Sequence, residues 1–135
     1  MDEKARFVIV LGSVCAALGV AAGAFGAHLL ADSISPERLA TFKTAVTYHL
    51  VHSPAIVLAG LLYLHVPNGL VRFSGWMFFV GIILFSGSLY ALVLADLPWL
   101  GAITPLGGAA FIAGWAILAA GAWKMEPEGD QENSA

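Results

Sequence analysis

An all-α fold, a four-helix transmembrane bundle with short connecting loops, is predicted by three observations. Four apolar stretches occupy most of the 135 residues, hydrophobic residues make up 59% of the chain against 11% charged, and the segments between the stretches are brief and polar. A spanning helix needs roughly 20 apolar residues, at about 1.5 Å each, to cross a hydrocarbon core of about 30 Å. The stretches at about 7–30, 44–64, 73–95 and 103–123 meet that length, and none contains Asp, Glu, Lys or Arg. The turns between them are too short to fold a separate unit, so 1–135 reads as a single integral membrane domain.

The first stretch follows Lys4 and Arg6. Its apolar run exceeds the roughly 7 to 15 residues of a cleaved signal core, which predicts a retained helix. Gly12, Ala16, Gly19, Gly23 and Gly26 recur in it at steps of three and four, placing a small-residue face along one side. Cys15, the lone cysteine, excludes an intramolecular disulfide and reads as a small apolar group.

Before the second stretch, Ser35, Pro36 and Glu37 spell a helix start: a serine cap, proline in the first turn and an acid near the positive end. Leu39 and Phe42 are expected to lie against the membrane surface in these opening turns. Pro54 cannot donate to the Leu50 carbonyl, which predicts a kink and leaves that carbonyl to Ser53, a neighbouring helix or water.

Pro67-Asn68-Gly69 suits a tight reversal into the third stretch, where Ser74, Gly81, Ser88 and Ala95 repeat every seven residues. Asp96 and Pro98 mark the third loop. In the fourth stretch Gly107, Gly114 and Gly121 again repeat by seven. Such faces predict a tightly packed left-handed bundle of antiparallel neighbours, with the Gly19-x-x-x-Gly23 pair as an alternative dimer contact. Trp99 and Trp123 are placed at opposite ends of the last hairpin, at the headgroup levels tryptophan prefers. Beyond Lys124 the chain is acidic and polar, and a disordered tail is expected over about 125–135.

Basic residues near helix ends resist translocation. Lys4, Arg6, Arg72 and Lys124 fall on one side and Arg38 and Lys43 on the other, so both termini are assigned to the cytoplasm, with the bacterial inner (plasma) membrane as the expected location.

Under that topology His28, Tyr48, His49 and His52 gather toward the outer half with Ser86, Ser88, Tyr90 and Thr104. His49 and His52 are three apart and Tyr48 and His52 four apart, both spacings that share a helix face. Intramembrane imidazoles are costly unless partnered, so the set is either a structural polar cluster or a ligand-binding one, and the structural reading is preferred. Ligation of a metal by converging neutral imidazoles is the alternative, but H-x-x-H with no Cys, Asp or Glu beside it is not a specific metal signature. Haem would need His28 opposite His49 or His52 at matching depth. No catalytic residues, resident metal or cofactor are assigned, because no nucleophile–base triad, carboxylate pair or phosphate-binding loop is present in the sequence. Absence of a charged pathway or of a repeat between the two hairpins places a transporter third.

The segments GAFGAH at Gly23–His28, TAVTYHLVH at Thr44–His52, GSLYAL at Gly87–Leu92 and ITPLGGAAFIAGW at Ile103–Trp115 resemble the domain-of-unknown-function family 423 (DUF423). That family of small bacterial membrane proteins is similar to eukaryotic transmembrane protein 256. The resemblance runs from about Ala16 through the fourth helix and implies a four-helix integral membrane protein without an established activity. The expected function is a non-enzymatic accessory or assembly component of a membrane complex, because the bundle has no substantial soluble region and its small-residue faces can pack against other helices. Its expected partners are the lipid bilayer, other membrane subunits or a second copy, with no nucleic acid.

Overall fold

The structure, a computed structural model, describes residues 2–125; the expected acidic tail lies almost wholly outside them. Four helices are long and apolar enough to cross a membrane: α1 (Glu3–Leu30), α2 (Pro36–His65), α3 (Gly69–Leu94) and a fourth at Pro98–Trp123. The fourth comprises a 3₁₀ turn at Pro98–Ala102 and the α-helix α4 (Thr104–Trp123). No strand occurs among the described residues.

Each start obeys its local chemistry. The Asp2 carboxylate accepts from the Lys4 and Ala5 amides, Ser35 Oγ accepts from the Arg38 amide, and Asn68 Oδ1 accepts from the Leu70 amide. Asn68 also donates through Nδ2 to the Gly121 carbonyl at 3.2 Å, tying the second turn to the far end of α4.

α2 and α3 form the centre, with α1 packed mainly on α2 and α4 mainly on α3. The glycine repeats set both outer contacts. A Cβ on Gly107 would meet Phe85, one on Gly114 would meet Phe78, and one on Gly121 would meet Val71. Each seven-residue advance along α4 is thus matched by a seven-residue retreat along α3, the register of an antiparallel pair. On the other side Gly12 faces Val57, Gly19 faces Leu50 and Gly26 faces the Phe42 ring. Without a hydrophobic drive between helices in lipid, such close backbone approach supplies the dispersion contacts that hold them.

Several details depart from the sequence reading. α2 begins at Pro36, as the Ser35-Pro36-Glu37 start spells, but Phe42 is buried rather than lying on the membrane surface. It packs with Leu30, Val93 and Leu39 in the space that Gly26 leaves open. Phe42 belongs to the buried stripe Phe42, Ala45, His49, His52, Ile56 and Ala59, which holds three- and four-residue steps into the middle of the helix. α2 remains α-helical through Pro54, and Ser53 Oγ donates to the His49 carbonyl at 2.7 Å, not to that of Leu50. Ala95, expected on the small-residue face of α3, is exposed beyond its end. Two segments are π-helical: Gly26–Leu30 forms the last turn of α1 and Ile82–Gly87 interrupts α3. Asp96 adopts a φ of 55° and pairs with Arg38, joining the third loop to the start of α2. Trp99 and Trp123 are both exposed at the ends of the last hairpin.

Candidate functional site

Of the polar residues singled out above, His49 is brought to Tyr90, His52 to the Tyr48 backbone and Ser88 to Thr104, Ser86 bonds to the Ala45 backbone, and His28 stands apart. His52 is about 24 Å along α2 from its first residue, given about 1.5 Å per residue, and so stands near the middle of a helix of 30 residues.

His52 is 5% exposed, and both of its nitrogens are engaged. Nδ1 lies 2.8 Å from the Tyr48 carbonyl and Nε2 lies 3.1 Å from Trp115 Nε1. A carbonyl only accepts and an indole N–H only donates. Nδ1 must therefore carry the proton and Nε2 must present its lone pair to Trp115, which fixes a neutral ring in a single tautomer. The ring also stacks on Phe111, with centroids 3.6 Å apart and planes 10° apart. Phe78 and Trp115 close the sides, and the Tyr48 ring stacks at 6.0 Å.

His49 is 7% exposed, and its Nδ1 lies 3.1 Å from the Tyr90 hydroxyl on α3. Its Nε2 is buried with no hydrogen-bond partner. On this side Gly19 of α1 leaves room for the ring, since a Cβ there would stand 3.4 Å from His49 Cδ2, the carbon next to Nε2.

Serines complete the lattice. Ser86 Oγ, fully buried, donates to the Ala45 carbonyl across the α2–α3 contact at 2.8 Å. Ser88 Oγ shares a 2.8 Å hydrogen bond with Thr104 Oγ1, joining α3 to α4. α2, α3 and α4 are thus stitched together by side-chain hydrogen bonds. α1 is held to them by glycine-lined packing beside His49, whose Nε2 is the buried imidazole nitrogen without a partner among the described residues.

His28 does not join the set. It is exposed near the end of α1, two residues from each of the buried Gly26 and Leu30, and a two-residue step turns it to the opposite side of the helix. The haem arrangement that would pair it with His49 or His52 is contradicted by this placement. Tyr48 contributes its ring, 4.4 Å from Phe85 by centroids, while the residue as a whole stays 42% exposed. His65 caps its own helix end on the Leu61 carbonyl.

Trp115 is missing from the set that the sequence suggests, although a signal for it exists. An indole N–H inside a span requires an acceptor. Trp115 lies four residues after Phe111, so the two share the α4 face that meets His52. The aromatic wall of Phe78, Phe85 and Phe111 is equally unmarked, because spacing alone does not distinguish it from lipid-facing phenylalanines. Among the described residues no three His, Cys, Asp or Glu side chains converge.

The family profile described as "Protein of unknown function (DUF423)" matches residues 22–108. The chain is 44% identical over 120 residues to the UPF0382 membrane protein YwdK of Bacillus subtilis, covering 88% of this chain and 98% of that one. A UPF0382 membrane protein of Staphylococcus haemolyticus is 39% identical over 120 residues, covering 89% and 98%. One from Staphylococcus aureus is 42% identical over the same length and coverage. No solved structure matches the chain. Four membrane-length helices and these relatives together identify a polytopic membrane protein, and the chain belongs to the DUF423 family.

Proposed function

We propose that this protein is a non-enzymatic accessory or assembly component of a larger membrane complex, and that its polar cluster is a lock holding three of its own helices in register. The saturation of His52 carries this reading. An imidazole whose proton is given to a carbonyl and whose lone pair is occupied by an indole N–H has nothing left for a metal or a substrate. What the molecule offers outward is helix surface: Phe7, Val10, Val14 and Leu18 form a continuous exposed apolar stripe on α1. Purification in mild detergent after crosslinking in membranes is expected to recover a defined heteromeric species. A free monomer under those conditions, with no crosslinked partner, contradicts the assembly role.

The second reading, small-molecule or metal binding, is favoured by one observation, the unpartnered Nε2 of His49. Metal content and ligand-dependent stability that are unchanged in His49→Ala and His52→Ala proteins would dispose of it. Orientation with both termini in the cytoplasm of a bacterial plasma membrane is supported by Lys4, Arg6, Arg72 and Lys124 against Arg38 and Lys43. Accessibility of single cysteines introduced at positions 4 and 97 to an impermeant thiol reagent tests it in intact cells of the Cys15→Ala variant. Labelling at 97 alone is expected, and labelling at 4 alone reverses the assignment.

A further inference from the structure

At the end of the bundle opposite the third loop, the first turns of α1 and α3 border a groove of about 200 Å³ lined by Glu3, Lys4, Phe7, Val8, Arg72 and Trp76. We infer that this groove binds a membrane phospholipid whose headgroup is net negative, with its phosphate between Lys4 and Arg72 and an acyl chain along Phe7 and Trp76.

Charge and position converge on this occupant. Lys4 stands in the first turn of α1 and Arg72 in the opening turn of α3, each near the positive end of its helix dipole. A cation there is disfavoured by its own helix, and an anion between the two relieves both. Glu3 opposes only part of this: its single charge stands against two cations and two helix N-termini. Neither Lys4 nor Arg72 has a carboxylate within ion-pair distance among the described residues. The Arg72 guanidinium lies 5.8 Å over the Tyr63 ring, a contact that orients it without neutralising its charge.

The apolar half of the groove fits the rest of a lipid. Phe7 and Trp76 stack across it with centroids 5.9 Å apart and planes inclined by 27°. They are 55% and 39% exposed, so they form a wall open to the bilayer. Tryptophan favours the headgroup level, and basic pockets between spanning helices are where anionic headgroups are held. The positive-inside tendency accounts for basic residues on this side of the membrane. It does not account for two of them meeting over one aromatic pair.

Native mass spectrometry of the full chain, with phosphatidylglycerol and phosphatidylcholine supplied in competition, tests the site. One basic residue at an anionic surface gives about a fivefold preference, so two engaged cations imply about thirtyfold for phosphatidylglycerol. Lys4→Gln with Arg72→Gln is expected to abolish that preference, and Lys124→Gln, at the same end but outside the groove, to leave it unchanged. Lys4→Glu alone, in an exposed first turn, tests the site without disturbing Arg72 on Tyr63 and is expected to remove most of the preference. No preference in the wild-type chain, or one that survives Lys4→Glu, overturns the proposal. A preference lost equally in Lys124→Gln reports diffuse surface charge and also overturns it. Carbodiimide crosslinks from Glu128, Asp130 or Glu132 to Lys4 in phosphatidylglycerol bilayers would identify the chain's own tail as the occupant and would likewise overturn it.

Discussion

Replacing Gly107 with alanine is expected to drive α3 and α4 apart, whereas the same change at the adjacent Gly108 is not. A Cβ at position 107 would stand 2.3 Å from the Phe85 amide nitrogen and 2.7 Å from its Cα. Both are backbone atoms and cannot rotate away, so the helices must separate by about 1 Å, a gap that forfeits a quarter to a half of each contact's dispersion energy. Overpacking of this kind costs about 1–3 kcal/mol, and backbone opposition places Gly107→Ala near the upper end. At Gly108 the nearest atoms are the Phe85 ring carbons at 3.9 and 4.0 Å, an ordinary contact. Alanine is better than glycine in a helix by about 1 kcal/mol at both positions, so the two variants should differ by about 2–3 kcal/mol with opposite signs relative to wild type. Reversible unfolding in mixed micelles, followed by tryptophan fluorescence, measures both. Equal stability of the two variants would refute the α3–α4 register derived from the glycine repeat.

Other expected outcomes follow from the polar cluster and the third loop. Tyr90→Phe removes the only hydrogen-bond partner of a buried histidine and should cost about 1–3 kcal/mol, whereas Tyr48→Phe, which keeps the stacked ring, should lie within about 0.5 kcal/mol of wild type. The same unfolding assay separates them, and equal losses would sink the His49–Tyr90 pairing. Asp96→Gly relieves a φ of 55° while losing an exposed ion pair with Arg38; the two effects are each about 1 kcal/mol or less and opposite in sign, so thermal stability should barely change. A large loss would instead mark that ion pair as a determinant of the loop.

Most of the architecture is legible in the sequence because length and hydropathy answer to bilayer thickness, and the glycine repeats on α1 and α4 answer to helix contact. The Ser35 cap and the Pro67-Asn68-Gly69 reversal likewise follow from local chemistry. What escapes is whatever depends on two helices at once. Phe42 reads as interfacial because its neighbours Arg38 and Lys43 are charged, yet the cavity it fills is made by Gly26 on another helix. The π-helical segments carry no residue signature of their own. His49, His52 and Tyr90 stand out in the sequence as polar groups in lipid needing partners, and the structure brings them into reach of such partners. Trp115 does not stand out, because its ring suits lipid as well as protein and only its N–H betrays the need for an acceptor. Depth alone groups His28 with the others, whereas the face it occupies depends on where the buried stripe of α1 ends.

Whether the polar cluster is a lock turns on the state of His52. Solid-state nitrogen NMR of the isotopically labelled protein in lipid bilayers reads it directly, since the protonated and lone-pair nitrogens of an imidazole resonate far apart. The expected result is a neutral ring with the proton on Nδ1, an unprotonated Nε2, and a through-space correlation from Nε2 to the Trp115 indole N–H. A proton on Nε2, a shift of that nitrogen on adding a transition metal, or no correlation to Trp115 would contradict the claim that this histidine serves to lock the helices together.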